Sequence, residues 1–254
     1  TGAGNTAYDT SGNNDGTLEN GAEWAQGVKG KSVSLDGQDD RVSVPDSDSL
    51  DIGTGEVTVA AWAYLKEDSD GNQWMLFDKG TTQSGTYYLY SDDNNHLRMT
   101  VKDGSNRYDA TADPSIVPED KWVFFTGVYD GSLVELWMNG EKVAETSAPG
   151  DLGSNQEPLW IGEYQGGGYY LDGLVDEARV YSEGLNKTQI QSLYNSGSWR
   201  IGTNTEEDDP SKVLDISFQH QNNTHVYDTS GYSNHAKPQN GARQESSVNC
   251  KVGR

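Results

Sequence analysis

The sequence has few basic residues, and this shortage excludes two classes of partner. Eighteen lysines and arginines stand against 40 aspartates and glutamates in 254 residues, giving a formal net charge of −22. A surface of this charge repels phosphates, so we expect no nucleic-acid partner and no direct insertion into membranes. A high-salt source and an ordinary acidic extracellular domain both explain the charge, since salt screens self-repulsion.

Cysteine and long apolar runs are also scarce. Cys250 is the single cysteine, so no disulfide bond forms within the chain. No window approaches eighteen apolar residues, and no charged-then-apolar leader precedes Thr1, which predicts a chain without a transmembrane span. The four histidines lack a metal-ligand spacing. Two glycosylation sequons, at Asn186 and Asn222, are compatible with secretion to the outside or surface of the cell.

The residues that are abundant indicate an all-β fold. Thirty glycines separate short segments of alternating apolar and polar residues, which is typical of strands joined by turns. The predicted strands are Glu56–Leu65, Tyr87–Tyr90, His96–Val101 and Trp122–Tyr129. The clearest hairpin joins Leu133–Met138 to Glu141–Ala144 through Asn139-Gly140, because both turn residues tolerate positive φ.

One short helix is predicted near the C-terminal end of the domain. Asn186 is a suitable N-cap, and Gln189 stands three residues later, as in a capping box. Ile190, Leu193 and Tyr194 share one face of such a helix, and residues 195–197, which include a glycine, end it.

An internal repeat organises the chain. Ala7-Tyr-Asp-Thr-Ser-Gly12 recurs as Val226-Tyr-Asp-Thr-Ser-Gly231, and an Asn-Gly-Ala triplet follows each copy. We therefore predict a sandwich over residues 1–200, a linker over 201–212, and the start of a second, truncated repeat over 213–254.

The two copies differ in what precedes them. Residues 213–218 alternate as a half-buried strand does, whereas nothing comparable precedes the first copy. The first sandwich then lacks its opening strand and has an open sheet edge, which is a template for pairing. Three interpretations stay open for residues 213–218: they belong to an incomplete second domain, they complete the sandwich of their own chain, or they complete that of a neighbour.

Five stretches resemble the laminin-G-like jelly-roll family of the concanavalin A-like lectin/glucanase superfamily. In order, they are Tyr8–Gly12 with Asn20–Ala22, Val33–Pro45, Val57–Trp62, Trp122–Gly140, and Leu171–Tyr181. The resemblance covers about residues 5–197 and implies a two-sheet antiparallel jelly-roll sandwich.

The resemblance also implies a structural calcium ion near one edge. Asp9 and Asp176 match the family pattern, and Asp15 and Asn20 are additional oxygen ligands in our prediction. The alternative is that Asp9 makes only an Asx-turn and Asp176 caps a strand. Glycosidases that retain configuration on this scaffold use a Glu-x-Asp-x-Glu strand, which this sequence lacks. We therefore expect no catalysis.

Aromatic residues beside polar ones are the candidates for glycan binding, because sugar rings stack on aromatic faces. They are Tyr164, Gln165, Tyr169 and Tyr170, which surround three glycines, and Trp74. Packing between strands is the alternative role for each.

The sequence thus predicts a secreted, non-catalytic module for glycan binding, adhesion or surface assembly, with a glycan or a surface protein as partner. Two alternatives stay open. One is a filament or array subunit that self-associates by donating residues 213–218. The other is an accessory part of a polysaccharide-degrading enzyme.

Overall fold

The computed structural model describes residues 4–198, apart from positions 13, 52, 54, 67–72, 81–85, 105, 114, 115, 149 and 151, and the backbone of residues 212–216. The described part consists of two antiparallel sheets and one helix, which confirms the predicted sandwich. Sheet A contains, in spatial order, β1 (Thr6–Ala7), β2 (Gly16–Glu19), β5 (Arg41–Val44), β14 (Leu159–Ile161), β7 (Met75–Lys79), β8 (Thr86–Ser91), β9 (Leu97–Asp103) and β10 (Asn106–Ala112).

Sheet B faces sheet A across the core. It contains, in spatial order, β13 (Glu141–Ser147), β12 (Leu133–Met138), β11 (Trp122–Tyr129), β6 (Val57–Leu65), β15 (Asp172–Tyr181), β4 (Lys31–Asp36) and β3 (Glu23–Gln26). About half of the neighbours in each sheet are strands that follow one another in the chain, and the others, such as β14 with β7 and β6 with β15, are far apart in sequence. The four strands predicted from alternation correspond to β6, β8, β9 and β11.

Alternation along each strand sends one set of side chains into the core. In β8, Tyr87 and Leu89 belong to the main hydrophobic cluster between the sheets, whereas Tyr88 and Tyr90 belong to a separate cluster. The sheets approach closely where Met99 of sheet A lies against Gly127 of sheet B, leaving no room for a Cβ at position 127.

A helix covers the outer face of sheet B. Helix α1 (Lys187–Ser198) packs Tyr194 against Trp62, with ring centroids 5.5 Å apart. The predicted capping box is confirmed: the Thr188 amide donates to Asn186 Oδ1 at 2.9 Å, and the Asn186 amide donates to Gln189 Oε1 at 2.9 Å.

The predicted hairpin is confirmed as well. β12 ends at Met138 and β13 begins at Glu141, and the two turn residues between them have positive φ, 51° at Asn139 and 79° at Gly140. This is the geometry of a two-residue type I′ turn.

Strand β16 (Lys212–Ile216) pairs antiparallel with Ala178–Tyr181 of β15 in the same chain. It lies on the edge of β15 that pairs with β4 at Asp172–Val175, since β6 occupies the other edge. Residues 199–211 and 217–254 lie outside the described residues; they include 201–211 of the predicted linker and the second copy of the repeated motif at 226–231.

Candidate functional site

The outer face of sheet A carries a row of polar and aromatic side chains that crosses seven strands. Residues directly opposite each other in antiparallel strands point to the same face. The row is Thr17, Ser43, Trp160, Asp78, Tyr88, Thr100 and Asp109. The residues on either side of most row members belong to the core, for example Leu159 and Ile161 beside Trp160. The row therefore faces away from sheet B.

Four tyrosines assemble on this side of sheet A. Tyr88 and Tyr90 come from β8, and Tyr164 and Tyr169 come from the loop after β14. The ring centroids are 6.0 Å apart for Tyr88 and Tyr164, 6.1 Å for Tyr90 and Tyr169, and 5.5 Å for Tyr164 and Tyr169, all edge to face. Tyr88 and Tyr90 are buried, while Tyr164 and Tyr169 are half-buried. We call these four residues the tyrosine face.

The loop that supplies two of the tyrosines folds back on itself. The Tyr164 amide donates to the Tyr169 carbonyl at 3.2 Å, and the Gly167 amide donates to the Tyr164 carbonyl at 2.7 Å. Gly167 and Gly168 have backbone φ angles of 79° and 95°, which residues other than glycine rarely adopt. The glycines thus let the loop place both rings on β8.

Asp78 lies beneath this loop with no solvent exposure. Its Oδ2 accepts the Gln165 amide at 2.7 Å, whereas its Oδ1 has no hydrogen-bond partner among the described residues. Burial raises the pKa of Asp78 from 3.8 to about 7. The site therefore contains a carboxyl group that changes its charge near neutral pH.

Charged residues border the tyrosine face on the β9–β10 side. Asp109 accepts hydrogen bonds from Arg107 at 2.7 Å and Thr100 at 2.5 Å, and Arg107 also donates to the hydroxyl of Tyr90. The hydroxyl of Tyr169 donates to Asp93 at 2.9 Å. Burial, and then this bond to a carboxylate, raise the pKa of Tyr169 to about 12. Hydrogen bonds to fixed partners hold these rings in place.

A second aromatic platform lies on the other side of Asp78. The guanidinium of Arg41 stacks 3.9 Å from the centroid of Trp160 and pairs with Glu163 and Glu19, each at 2.7 Å. Trp160 is half-buried. Sheet A thus presents partly exposed rings next to hydrogen-bonding groups of both charges, an arrangement suited to a ligand with both an apolar face and hydroxyl groups.

The structure separates the residues that the sequence predicted for glycan binding. It brings Tyr164 and Tyr169 together, and it uses Gln165 to hold the loop, because its side chain donates to the carbonyls of Asp78 and Pro158. Tyr170 pairs with Glu163 through an isolated bridge. Trp74 packs on Phe125 against the core, with centroids 5.6 Å apart, and is not part of the tyrosine face.

Of the residues predicted to bind calcium, Asp9 and Asp15 are joined by a hydrogen bond, whereas Asp176 and Asn20 contact other residues. Asp9 accepts the amides of Ser11 at 2.9 Å and Asn14 at 3.1 Å, and its own amide donates to Asp15. Asp176 is buried and accepts the amide of Lys29 at 2.9 Å.

The described residues contain one group of three acidic residues whose oxygens lie within 4.8 Å of one another, and it includes none of Asp9, Asp15 and Asp176. The fourth predicted ligand, Asn20, donates from its side-chain amide to the Asp39 carbonyl. Calcium binding itself stays a prediction.

Sequence reasoning missed Tyr88, Tyr90, Asp78 and Trp160. A signal for the tyrosines is present in Tyr87–Tyr90, because alternation in a strand places residues 88 and 90 on one face. Asp78 and Trp160 join them through pairings between strands far apart in the chain. No local pattern indicates those pairings.

Comparison with known proteins gives a family match and several similar folds. The sequence model of a laminin-G-like family, described as concanavalin A-like lectin/glucanases superfamily, matches residues 36–191. Adhesion G-protein coupled receptor V1 of Danio rerio is 26% identical over 152 residues, which are 54% of this chain and 2% of the receptor.

Two solved structures illustrate the likeness of fold. Domain 4 of AbnA, an extracellular GH43 arabinanase from Geobacillus stearothermophilus, solved in complex with arabinotriose, has a TM-score of 0.58 at 21% identity and covers 73% of this chain and 91% of that domain. The binding domain of botulinum neurotoxin DC, solved in complex with SialylT, has a TM-score of 0.59 at 18% identity over 75% of this chain and 48% of that one. The described part of the chain contains no helix with the length and apolarity needed to cross a membrane.

Proposed function

Because the chain belongs to the concanavalin A-like lectin/glucanases superfamily, we propose that it is a non-catalytic extracellular module that binds glycans through the tyrosine face. A binding role in general agrees with the similar proteins, which include binding domains and an adhesion receptor. The observation that carries the glycan proposal is the assembly of four tyrosines, two of them partly exposed, on the outer face of sheet A.

The chemistry of a sugar fits this face. One side of a pyranose or furanose ring is apolar and stacks on aromatic rings, while its hydroxyl groups need both donors and acceptors. Tyr164 and Tyr169 supply rings at the surface. Arg107 supplies a donor, and the exposed Asp93, which accepts from the Tyr169 hydroxyl, supplies carboxylate oxygens as acceptors.

A panel of soluble oligosaccharides tests the proposal by isothermal titration calorimetry. It includes arabinotriose and SialylT, the ligands of the two similar structures. We expect at least one member to bind the full chain and to lose at least tenfold in affinity with Tyr164→Ala and Tyr169→Ala. Binding that both substitutions leave unchanged would move the site elsewhere, and no binding across the panel would refute the glycan proposal.

Tyr8→Ala is the matched control. Tyr8 is 62% exposed and lies outside the tyrosine face, so its removal changes an accessible tyrosine without changing the proposed site. We expect its affinity to stay within twofold of the unsubstituted chain. A comparable loss in Tyr8→Ala would indicate non-specific aromatic contact.

The same panel tests whether this chain is itself catalytic. The similar arabinanase domain is one part of such an enzyme, which keeps the accessory role as a second candidate. Release of shorter oligosaccharides by this chain alone would overturn the non-catalytic part of the proposal. Binding without release agrees with both a free-standing module and an accessory domain.

A further inference from the structure

Three basic side chains lie on the outer face of sheet A beside the tyrosine face, in a chain with only 18 lysines and arginines. They are Arg98 and Lys102 of β9 and Arg107 of β10, which share strand faces with members of the row across sheet A. Lys102 and Arg107 stand directly opposite each other in the pairing of these strands. Like charges at directly opposite positions destabilise a sheet, so strand stability does not explain this pair.

The carboxylates beside these cations pair with the two arginines. Arg98 pairs with Asp92 at 2.6 Å, and Arg107 pairs with Asp109 at 2.7 Å. Within the described part of the chain, the ammonium group of Lys102 forms no ion pair with a carboxylate. The outer face of β9 and β10 therefore has one cation more than its ion pairs use.

Both Lys102 and Arg107 lie at the edge of the tyrosine face. The Lys102 Nζ is 5.7 Å from the ring centroid of Tyr88, and the Arg107 guanidinium carbon is 5.6 Å from that of Tyr90. Lys102 is half-buried and Arg107 is exposed. Among the described residues, Nη1 of Arg107 has no hydrogen-bond partner. Two cations with donors to spare thus border the aromatic rings.

The acidic groups of the tyrosine face do not occupy Lys102. Burial raises the pKa of Asp78, and the positive charge of Lys102 lowers it in part, but Asp78 has no solvent exposure and no ion pair with that lysine. The exposed Asp93 follows the end of β8, whereas Lys102 lies opposite Thr86 at the start of β8. Charges are screened over about 8 Å at physiological ionic strength, so nearby groups decide the local potential. Lys102 and Arg107 therefore attract a single anionic group, despite the net charge of −22.

We propose that the glycan bound at the tyrosine face is acidic, and that the carboxylate of one sugar unit binds between Lys102 and Arg107. The inference rests on the proposed function, because it assigns the charge of the same ligand. Hydrogen bonds from an ammonium or a guanidinium to a carboxylate are about twice as strong as neutral ones. They add to the stacking of sugar rings on Tyr164 and Tyr169. Sialic and uronic acids carry the required carboxylate.

Calorimetric titration of the full chain with two acidic probes, sialyllactose and digalacturonic acid, each beside its methyl ester, tests the inference. The ester keeps the sugar rings and removes the charge. We expect at least one acid to bind about fivefold or more tightly than its ester, and to lose affinity as sodium chloride is added. Binding of esters or of neutral arabinotriose, with no preference for either acid, would overturn the inference and leave the proposed function standing. Absence of binding by every probe and every panel member would refute the proposed function itself.

Variants of Lys102 locate the carboxylate. Lys102→Met removes the charge and keeps most of the aliphatic stem, so we expect about fivefold or more loss of affinity for the acid and less than about twofold for the ester. Lys102→Arg keeps the charge and should retain the preference for the acid. Lys187→Met, an equal charge change at an exposed position on α1, is the matched control and should stay within about twofold for both probes. Equal losses for acid and ester in Lys102→Met would show that this lysine only supports the tyrosine face, and would overturn the inference.

Discussion

The buried ammonium group of Lys79 lies 2.8 Å from Oδ1 of Asp46, within a shell of oxygen atoms. The shell also includes Asp51 Oδ1 at 3.3 Å, Asn155 Oδ1 at 3.0 Å and the Glu157 carbonyl at 2.7 Å. A charged group with no solvent exposure is stable in a protein only when such partners replace its water. Lys79 thus ties β7 to the segment that follows β5 and to the segment that precedes β14.

We expect Lys79→Met to destabilise the chain by about 3 kcal/mol, because it leaves partly buried carboxylates without their cation. Lys66→Met is the matched control. Its ammonium pairs with Asp172, but both side chains are more than 40% exposed, so the expected loss is about 0–1 kcal/mol. Chemical denaturation followed by tryptophan fluorescence measures both, and equal losses would contradict the importance of the buried shell.

Asp78 should make stability fall as the pH rises. Its folded pKa of about 7 exceeds the ordinary 3.8, so the folded state holds a proton that the unfolded state releases. The resulting stabilisation is complete below pH 3.8 and is lost as the pH rises to about 7. The side chain in Asp78→Asn does not titrate, so the free energy of unfolding of this variant should depend less on pH over that window. The slopes of the variant and of the unsubstituted chain should differ by up to about 1.4 kcal/mol per pH unit.

Asp48→Asn, at an exposed position, is the control for that pH series. A curve for Asp78→Asn that parallels those of the control and the unsubstituted chain would show that Asp78 is already ionised in the folded state. Some slope of the same sign should persist in every variant, since burial also raises the pKa of Asp176 to about 7.

Gly173 should not tolerate a side chain. A Cβ at this position in β15 would overlap the carbonyl oxygen of Tyr64, which belongs to the backbone of β6 and cannot move aside. We expect Gly173→Ala to lower the free energy of unfolding by about 2 kcal/mol. Gly12→Ala, where a Cβ has open space, should change it little, and similar values for the two variants would contradict the close approach of β15 and β6.

Strand β16 completes an edge of β15 in this structure. A chain that ends at residue 198 leaves Ala178–Tyr181 unpaired on that edge, so we expect a lower melting temperature and association that increases with concentration. A peptide of residues 209–218 added to the truncated chain should reverse both effects. An unchanged melting temperature and a constant mass in sedimentation would show that the pairing contributes nothing.

The full-length chain distinguishes pairing within a chain from pairing between chains. Because β16 lies on its own β15, we expect a constant mass in sedimentation at all concentrations. A mass that rises with concentration would favour the filament or array subunit joined by strand donation.

The sequence by itself determined the features that depend on local interactions. Asn139 and Gly140 tolerate positive φ, which predicted the hairpin between β12 and β13. The capping residue Asn186 predicted the start of α1, and the alternation of apolar and polar residues predicted β6 and β11. Each of these follows from residues a few positions apart, so no knowledge of the rest of the chain was needed.

Only the tertiary structure decided which distant residues meet. Tyr88 meets Tyr164, and Asp78 becomes buried, because β14 pairs with β7 and the loop after β14 folds over that sheet. Sheet order and the approach of turns depend on packing of the whole core, which no short pattern encodes.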